Sequence, residues 1–280
     1  MRVLVTGAGG MVGREVVEAM SGHEVIGLDH AALDVGDRDS VLGAIGSTRP
    51  DAIVHCAAMT AVDACESERD RAFLVNALGV RFVMEGARRA GAYVVTLSTD
   101  YVFDGTQPEP YHEWDTPNPT SVYGQSKLGG EFEMDLECAV VRTSWVIGRY
   151  GANMAKTILR LAGGDAPLRF VDDQRGCPTV AKDLATMLRT FAVERLPGTW
   201  HVTNQGPVSW FEFAGEMLRA AGDDPARVAP ISTTDLDPPR PAPRPANSVL
   251  DNRALRLAAR PLLPDFRESL PELVRAIREQ

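Results

Sequence analysis

The glycine spacing Gly7-x-x-Gly10-x-x-Gly13 constrains this chain more than any other feature, because it falls between the β-branched run Val3–Val5 and the amphipathic stretch Val12–Met20. Strand, glycine turn and helix in that order make the first half of a dinucleotide-binding βαβ unit. Gly7 permits the tight turn, Gly10 lets the backbone approach a pyrophosphate, and Gly13 lets the helix pack on the strand. Free N–H groups at the helix start then receive the anion. Asp29 ends the next apolar run, Val25–Leu28, where a carboxylate accepts both ribose hydroxyls of NADH. His30, Ala31 and Ala32 bring no cation for a 2′-phosphate, so the pattern leans toward NADH and leaves NADPH open. A solvated turn residue is the plainer alternative for Asp29.

Further short apolar runs at Ile53–His55, Val94–Leu97 and Val140–Arg142 read as strands buried on both faces. The helical stretches Ala72–Ala90 and Ser121–Leu136 are long enough to be crossovers between parallel strands. Repeated β-α order predicts an α/β chain: an NAD(P)-binding Rossmann fold with a doubly wound parallel sheet and a smaller C-terminal α/β substrate-binding region. We expect residues 1–149, with about 171–198 returning, to form the dinucleotide-binding domain. About 150–170 and 199–280 are expected to form the substrate-binding region. The proline-rich run from Pro238 to Pro245 reads as a stiff loop over a site, and Pro271–Glu279 as a final helix.

Lys plus Arg number 29 against 38 Asp plus Glu, a formal charge of −9, which argues against a nucleic-acid partner. An anionic ligand needs a local basic pocket. No apolar run reaches the roughly 18 residues of a membrane span, and MRVLVTGAGG is no secretion leader, so a cytoplasmic protein without membrane contact is expected. Cys56, Cys65, Cys138 and Cys177 lack C-x-x-C spacing and read as reduced thiols. The five histidines have no ligand spacing. Asp63, Glu66, Glu68 and Asp70 read as a solvated helix start, and Trp114, Trp200 and Trp210 as core or rim.

Tyr123 and Lys127 lie four apart on a helical segment and so share a face. A lysine ammonium near a phenol stabilises phenolate and brings its proton within catalytic reach. Y-x-x-x-K also occurs by chance in helices. Leu97-Ser98-Thr99-Asp100, however, ends the fourth strand at the edge where such sheets bind ligands, and the Thr99 hydroxyl can hold a carbonyl there.

These motifs together resemble the extended short-chain dehydrogenase/reductases and, within them, the dTDP-4-dehydrorhamnose reductase family with its RmlD-like substrate-binding region. The resemblance covers nearly the whole chain. It rests on Ala57–Asp63, Ser98–Gly105, Ser121–Leu128, Arg142–Val146, Asp173-Gln174-x-Gly176-x-Pro178-Thr179 and Arg244-Pro245-x-Asn247-Ser248. Tyr101 stands where the related dehydratases place a Glu, so dehydration is not implied.

The resemblance implies an NADPH- or NADH-dependent reductase of a dTDP-4-keto-6-deoxy sugar, with Tyr123, Lys127 and Thr99 catalytic. It implies pyrophosphate contacts at Gly10, Met11 and Val12, and places Asp34 and Val35 at the adenine. Ala58, Met59 and Thr60 fall at the nicotinamide half, with Met59 replacing the family's histidine. Thr99, Asp100, Tyr101 and Trp145 would face the sugar nucleotide, while Arg244 and Asn247 would close over its diphosphate and base. Some relatives hold Mg2+ between subunits, with Glu15 at one such position, and a homodimer is among the assemblies implied. Two alternatives stay open: a reductase of a different dTDP-4-keto-deoxyhexose, and a noncatalytic regulatory subunit of methionine adenosyltransferase.

Overall fold

The chain alternates strand and helix as its apolar periodicity requires. A computed structural model describes residues 1–164 and 166–280. In order come β1 (Arg2–Thr6), α1 (Met11–Ala19), β2 (Glu24–Leu28), α2 (Arg38–Thr48), β3 (Ala52–His55), α3 (Val62–Ser67), α4 (Arg69–Phe73) and a π turn (Leu74–Leu78). α5 (Gly79–Ala90), β4 (Tyr93–Thr99), α6 (Val122–Glu131), β5 (Ala139–Thr143), β6 (Val146–Ile147) and α7 (Met154–Ala162) follow. Next are β7 (Leu168–Val171), β8 (Arg175–Gly176), β9 (Thr179–Val180), α8 (Ala181–Glu194), β10 (Gly198–His201) and β11 (Val208–Ser209). α9 (Trp210–Ala221), β12 (Val228–Ile231), α10 (Arg253–Leu257) and α11 (Phe266–Arg278) complete the chain.

Six strands form one sheet in the order β10-β5-β4-β3-β1-β2, every neighbouring pair parallel. Such a sheet needs cover on both faces, and the fully buried sequences of β3 and β5 show that it has it. α1 packs with α8, and α2 with α5, which leans in turn on α6, giving two helical layers about the sheet. After β1 the chain moves outward to β2, and β3 returns on β1's other side. This reversal leaves a crevice at the carboxyl ends of β1 and β3, where doubly wound sheets bind ligands.

Beside the sheet's core lies a second apolar cluster, built from α7, β7, α9, β12 and α11 around Ile158, Phe213, Met217 and Phe266. β12 pairs with β7, β11 with β8, and β6 with β9 in three two-stranded ladders. Two stretches cross the boundaries expected from the sequence. β10 joins the main sheet beside β5, and Leu255 and Leu263 pack into the sheet's core. At four residues, Gly-Thr-Trp-His carries too little alternation to announce a strand.

The expected helix over 72–90 is interrupted by the π turn. The helix expected over 121–136 stops at Glu131, beyond which Phe132 and Leu136 find no core and stand exposed. Among the described residues no helix is long and apolar enough to cross a membrane.

Phe213 is fully buried and meets Trp210 and Phe266 edge-on or tilted, both at 5.9 Å. Phe213→Ala leaves a cavity there and should cost about 3–5 kcal/mol in chemical denaturation. A loss under about 1 kcal/mol would show that this core relaxes around the hole.

Candidate active site

The crevice is built first by the β1–α1 turn. Gly7 takes φ +66°, a region open to glycine at little cost, and a Cβ at Gly13 would lie 2.2 Å from the Gly7 carbonyl oxygen. Gly10 begins α1 without a side-chain cap, leaving first-turn N–H groups for a ligand. Beyond the turn, a cavity of about 750 Å³ is lined by Gly7, Gly10, Asp29, Asp34, Val35, Ala58 and Met59. Asp29 accepts from the Ala31 and Ala32 amides through Oδ1 (3.1 and 3.0 Å), so its other oxygen can receive a hydroxyl.

An adjoining cavity of about 440 Å³ shares Gly10 and Ala58 and is lined by Met11, Val12, Gly13, Thr60, Thr99, Asp100, Tyr101, Tyr123, Lys127 and Trp145. Thr99 and Asp100 come from the end of β4. Ser121 caps α6 by accepting from the Gly124 amide at 3.1 Å, and the helix then projects Tyr123 and Lys127. Lys127 Nζ donates to the Leu97 carbonyl at 2.7 Å. One and two turns beyond Tyr123, the same face carries Lys127 and Glu131. Glu131 takes a bidentate bond from buried Arg142 (2.9 and 2.6 Å) and another from the Ser98 hydroxyl.

Burial sets the electrostatics. It raises the Tyr123 phenol well above its ordinary value, against the Thr99 hydroxyl beside it. It lowers Lys127 to about 8, with Glu131 opposing, and His55 to about 3, helped by the Lys127 charge. Neutral phenol and ammonium therefore coexist at neutral pH. Asp100 is pushed up to about 6 by burial; its Oδ1 accepts from Thr99 at 2.9 Å, and its Oδ2 is buried without a partner. The Ser248 hydroxyl faces the same carboxyl and opposes the upward shift.

Three expected residues are engaged by partners of their own. Arg244 is clamped on Asp63 (2.7 and 2.8 Å), whose carboxyl it holds below the usual carboxylate range, and it also reaches the Tyr101 hydroxyl, which lines the second cavity. Asp63 and Glu66 are thus no merely solvated helix start, since Glu66 also accepts from the Val122 amide at 2.9 Å. Asn247 turns its amide onto the carbonyls of Gln107 (2.8 Å) and Glu109 (3.1 Å). Glu15 is buried against Arg149 (2.9 and 3.2 Å), which also bonds Glu18. That pairing, with no set of three metal-ligating side chains among the described residues, does not fit a cation within one chain.

Sequence reasoning missed two contributors. Asn76, inside the π turn, receives the Met59 amide (2.8 Å) and donates to the Met59 carbonyl and Ser126 Oγ (both 3.0 Å). It pins the loop carrying Met59 to α6. The available signal was a polar residue in the buried series Ala72, Asn76, Val80, Val83. Trp210 was read as core or rim, yet it lines the second cavity and stacks on Trp145 at 3.6 Å, nearly coplanar.

A family model described as RmlD substrate binding domain matches residues 1–279. A dTDP-4-dehydrorhamnose reductase of Streptomyces griseus is 41% identical, over 97% of this chain and 92% of that protein. A probable dTDP-4,6-dihydroxy-2-methyloxan-3-one 4-ketoreductase of Streptomyces antibioticus is also 41% identical, over 97% and 94%. Among solved structures, the dTDP-4-dehydrorhamnose reductase of Bacillus anthracis in complex with NADP superposes with a TM-score of 0.93. It is 38% identical, covering 97% of this chain and 98% of that one.

The Asp63–Arg244 pair ties the proline-rich loop to α3, and the Ala242 amide donates to Asp63 Oδ1 at 3.1 Å. Asp63→Asn should speed hydrogen exchange at the Ala242 amide about tenfold or more, as expected for a lost bond to a charged group. Unchanged exchange would mean the loop is held by other contacts.

Proposed function

The chain belongs to the RmlD substrate-binding domain family, and on that basis we propose that it is a cytoplasmic NAD(P)H-dependent reductase of dTDP-4-dehydro-L-rhamnose. It converts the C4 keto group to the alcohol of dTDP-L-rhamnose, the last step in making that sugar nucleotide. The observation that carries the reading is Thr99, Tyr123 and Lys127 lining one cavity that runs into the glycine-turn crevice. Three catalytic groups around an open cleft support turnover over a regulatory role. The sheet's core carries the cofactor, and the second core completes the substrate side, in a homodimer that sedimentation velocity tests.

The residues fit the cofactor. The uncapped α1 start and the glycine turn hold the pyrophosphate, Asp29 the adenosine ribose, and Asp34 and Val35 flank the adenine. The Bacillus anthracis relative solved with NADP supports acceptance of NADPH as well as NADH. When bound, the reduced nicotinamide supplies the hydride taken up by the sugar's C4 carbon.

Tyr123 donates its phenolic proton to the oxygen that becomes the C4 hydroxyl, so one hydride and one proton complete the alcohol. Thr99 turns its hydroxyl proton from Asp100 Oδ1 to the carbonyl oxygen and orients that oxygen toward the phenol. Lys127, cationic below about pH 8, stabilises the phenolate that remains. Asp100 Oδ2 accepts from a sugar hydroxyl.

A second reading, reduction of another dTDP-4-keto-deoxyhexose, is favoured by the Streptomyces antibioticus relative's name. Loss of reduced-nicotinamide absorbance with dTDP-6-deoxy-L-lyxo-4-hexulose, set against other dTDP-4-keto sugars, decides between the two. The preferred substrate is the one with the higher kcat/KM.

Tyr123→Phe should bind NADPH nearly as wild type yet turn over at least about a hundredfold more slowly. Turnover within a few-fold of wild type would remove Tyr123 from the proton-donor role. Because kcat/KM reports the free enzyme, it should also fall as pH rises through about 8, where Lys127 loses its charge while Tyr123 keeps its proton. A flat profile from pH 7 to about 9 contradicts the Lys127 assignment.

A further inference from the structure

Trp145 follows β5 with φ +45°, a left-handed conformation that bulky residues rarely adopt. Such a backbone persists only where its surroundings over-determine it. Three contacts from the β8–β9 segment do so. The Ser144 hydroxyl donates to the Cys177 carbonyl at 2.7 Å, and the Thr179 amide to the Trp145 carbonyl at 3.2 Å. Gly176 approaches the indole so closely that a Cβ there would meet Cε2 at 2.4 Å.

The fourth contact is Trp210, stacked on Trp145 with ring centroids 3.6 Å apart and planes 4° apart. Gly176 and Trp210 reach Trp145 from one ladder, since Gly176 pairs with Val208 and Trp210 follows Ser209 directly. Ser209 in turn starts α9 with a reciprocal cap to Glu212 and donates to Asp172 at 2.5 Å. Behind the stack, Trp210 meets Phe213 edge-on, and Phe213 meets Phe266, deep in the second core.

Both indoles are only half-buried and line the same cavity as Thr99 and Tyr123. A plain core pair would be closed off from it. We propose that Trp210 is a positioning residue that holds Trp145 in its left-handed turn, so that the stacked indoles form an apolar wall for the deoxyhexose ring. Resting on the function proposed above, this names the part of the substrate that the second core senses. A 6-deoxy sugar offers C–H faces and a methyl group, which pack on indole surfaces, whereas a 6-hydroxyl would be stripped of water there. Without Trp210 the Trp145 turn relaxes, and the ring loses its seat while the cofactor crevice is untouched.

Tryptophan fluorescence tests the wall directly, because a sugar seated on two half-buried indoles shields them from water. Adding dTDP-L-rhamnose to wild type should shift the emission to the blue by more than dTDP alone does, and Trp210→Ala should lose that difference.

In kinetics, Trp210→Ala should raise KM for the 4-keto sugar about tenfold with KM for NADPH unchanged, as expected for one lost aromatic contact. Trp210→Phe, which keeps an aromatic ring against Phe213, should recover most of that loss. An emission that dTDP-L-rhamnose shifts no more than dTDP does, or a sugar KM within about twofold of wild type in folded Trp210→Ala, overturns the proposal. So does a parallel rise of both KM values in folded Trp210→Phe, which marks a structural role. Absence of wild-type turnover with every dTDP-4-keto-6-deoxy sugar instead overturns the proposed function. The emission's response to dTDP-L-rhamnose then judges the wall independently.

Discussion

The bidentate pair between Arg142 and Glu131 is the contact on which the site's geometry turns. Both side chains are more than nine-tenths buried, one in the middle of β5 and the other at the end of α6. Removing one partner of such a pair leaves an uncompensated charge in the interior, typically at about 3–5 kcal/mol, so the helix has little freedom to shift along the sheet. Glu131 lies one turn past Lys127 and two past Tyr123. Locking the helix end therefore sets the height of the phenol above the sheet edge. The Ser98 hydroxyl on Glu131 and the Lys127 bond to the Leu97 carbonyl tie the same face to β4, which also delivers Thr99.

The charge distribution explains how an acidic chain can receive an anionic ligand. Much of the surface cation content is used internally: Arg38 on Glu85, Arg81 on Glu133, Arg88 on Asp135 and Arg149 on Glu15. What the crevice offers an anion is backbone, the uncapped start of α1, whose partial charge needs no counter-ion of its own. In the interior, Lys127 and Arg142 are set against the carboxyls of Glu131 and Asp100, so the buried charges oppose one another in pairs. Arg244, expected over the ligand, instead bonds Asp63 and holds the proline-rich loop.

Much of this architecture was legible in the primary sequence. The five apolar runs became β1 to β5 with ends shifted by no more than two residues, because strands buried on both faces leave uninterrupted β-branched patterns; β2 departs from that expectation, since it lies at the sheet's edge and none of its residues is fully buried. The glycine turn and the Tyr123–Lys127 pair were equally readable, since each depends on residues within one turn of one another. The departures arose where distant parts of the chain override local preference. A continuous helix over 72–90 satisfies local propensity. The buried Asn76 amide bonds to Met59 and Ser126 across 17 and 50 residues, and the π turn stands at that point. Glu15 carried no sign that Arg149, 134 residues on, would occupy it.

The sequence alone therefore determined the features that short-range rules govern: the doubly wound α/β order, the glycine turn, the acid at the end of β2, and a phenol and an ammonium on one helical face. Only the tertiary structure decided which cations are free and which are taken. It also decided that Asn247 braces a loop, and that Trp145 stacks on Trp210 at the edge of the second core. Those outcomes are contacts between residues far apart in the chain. Their energy comes from burial and desolvation, which depend on what surrounds a side chain in space and leave no periodic mark along the sequence.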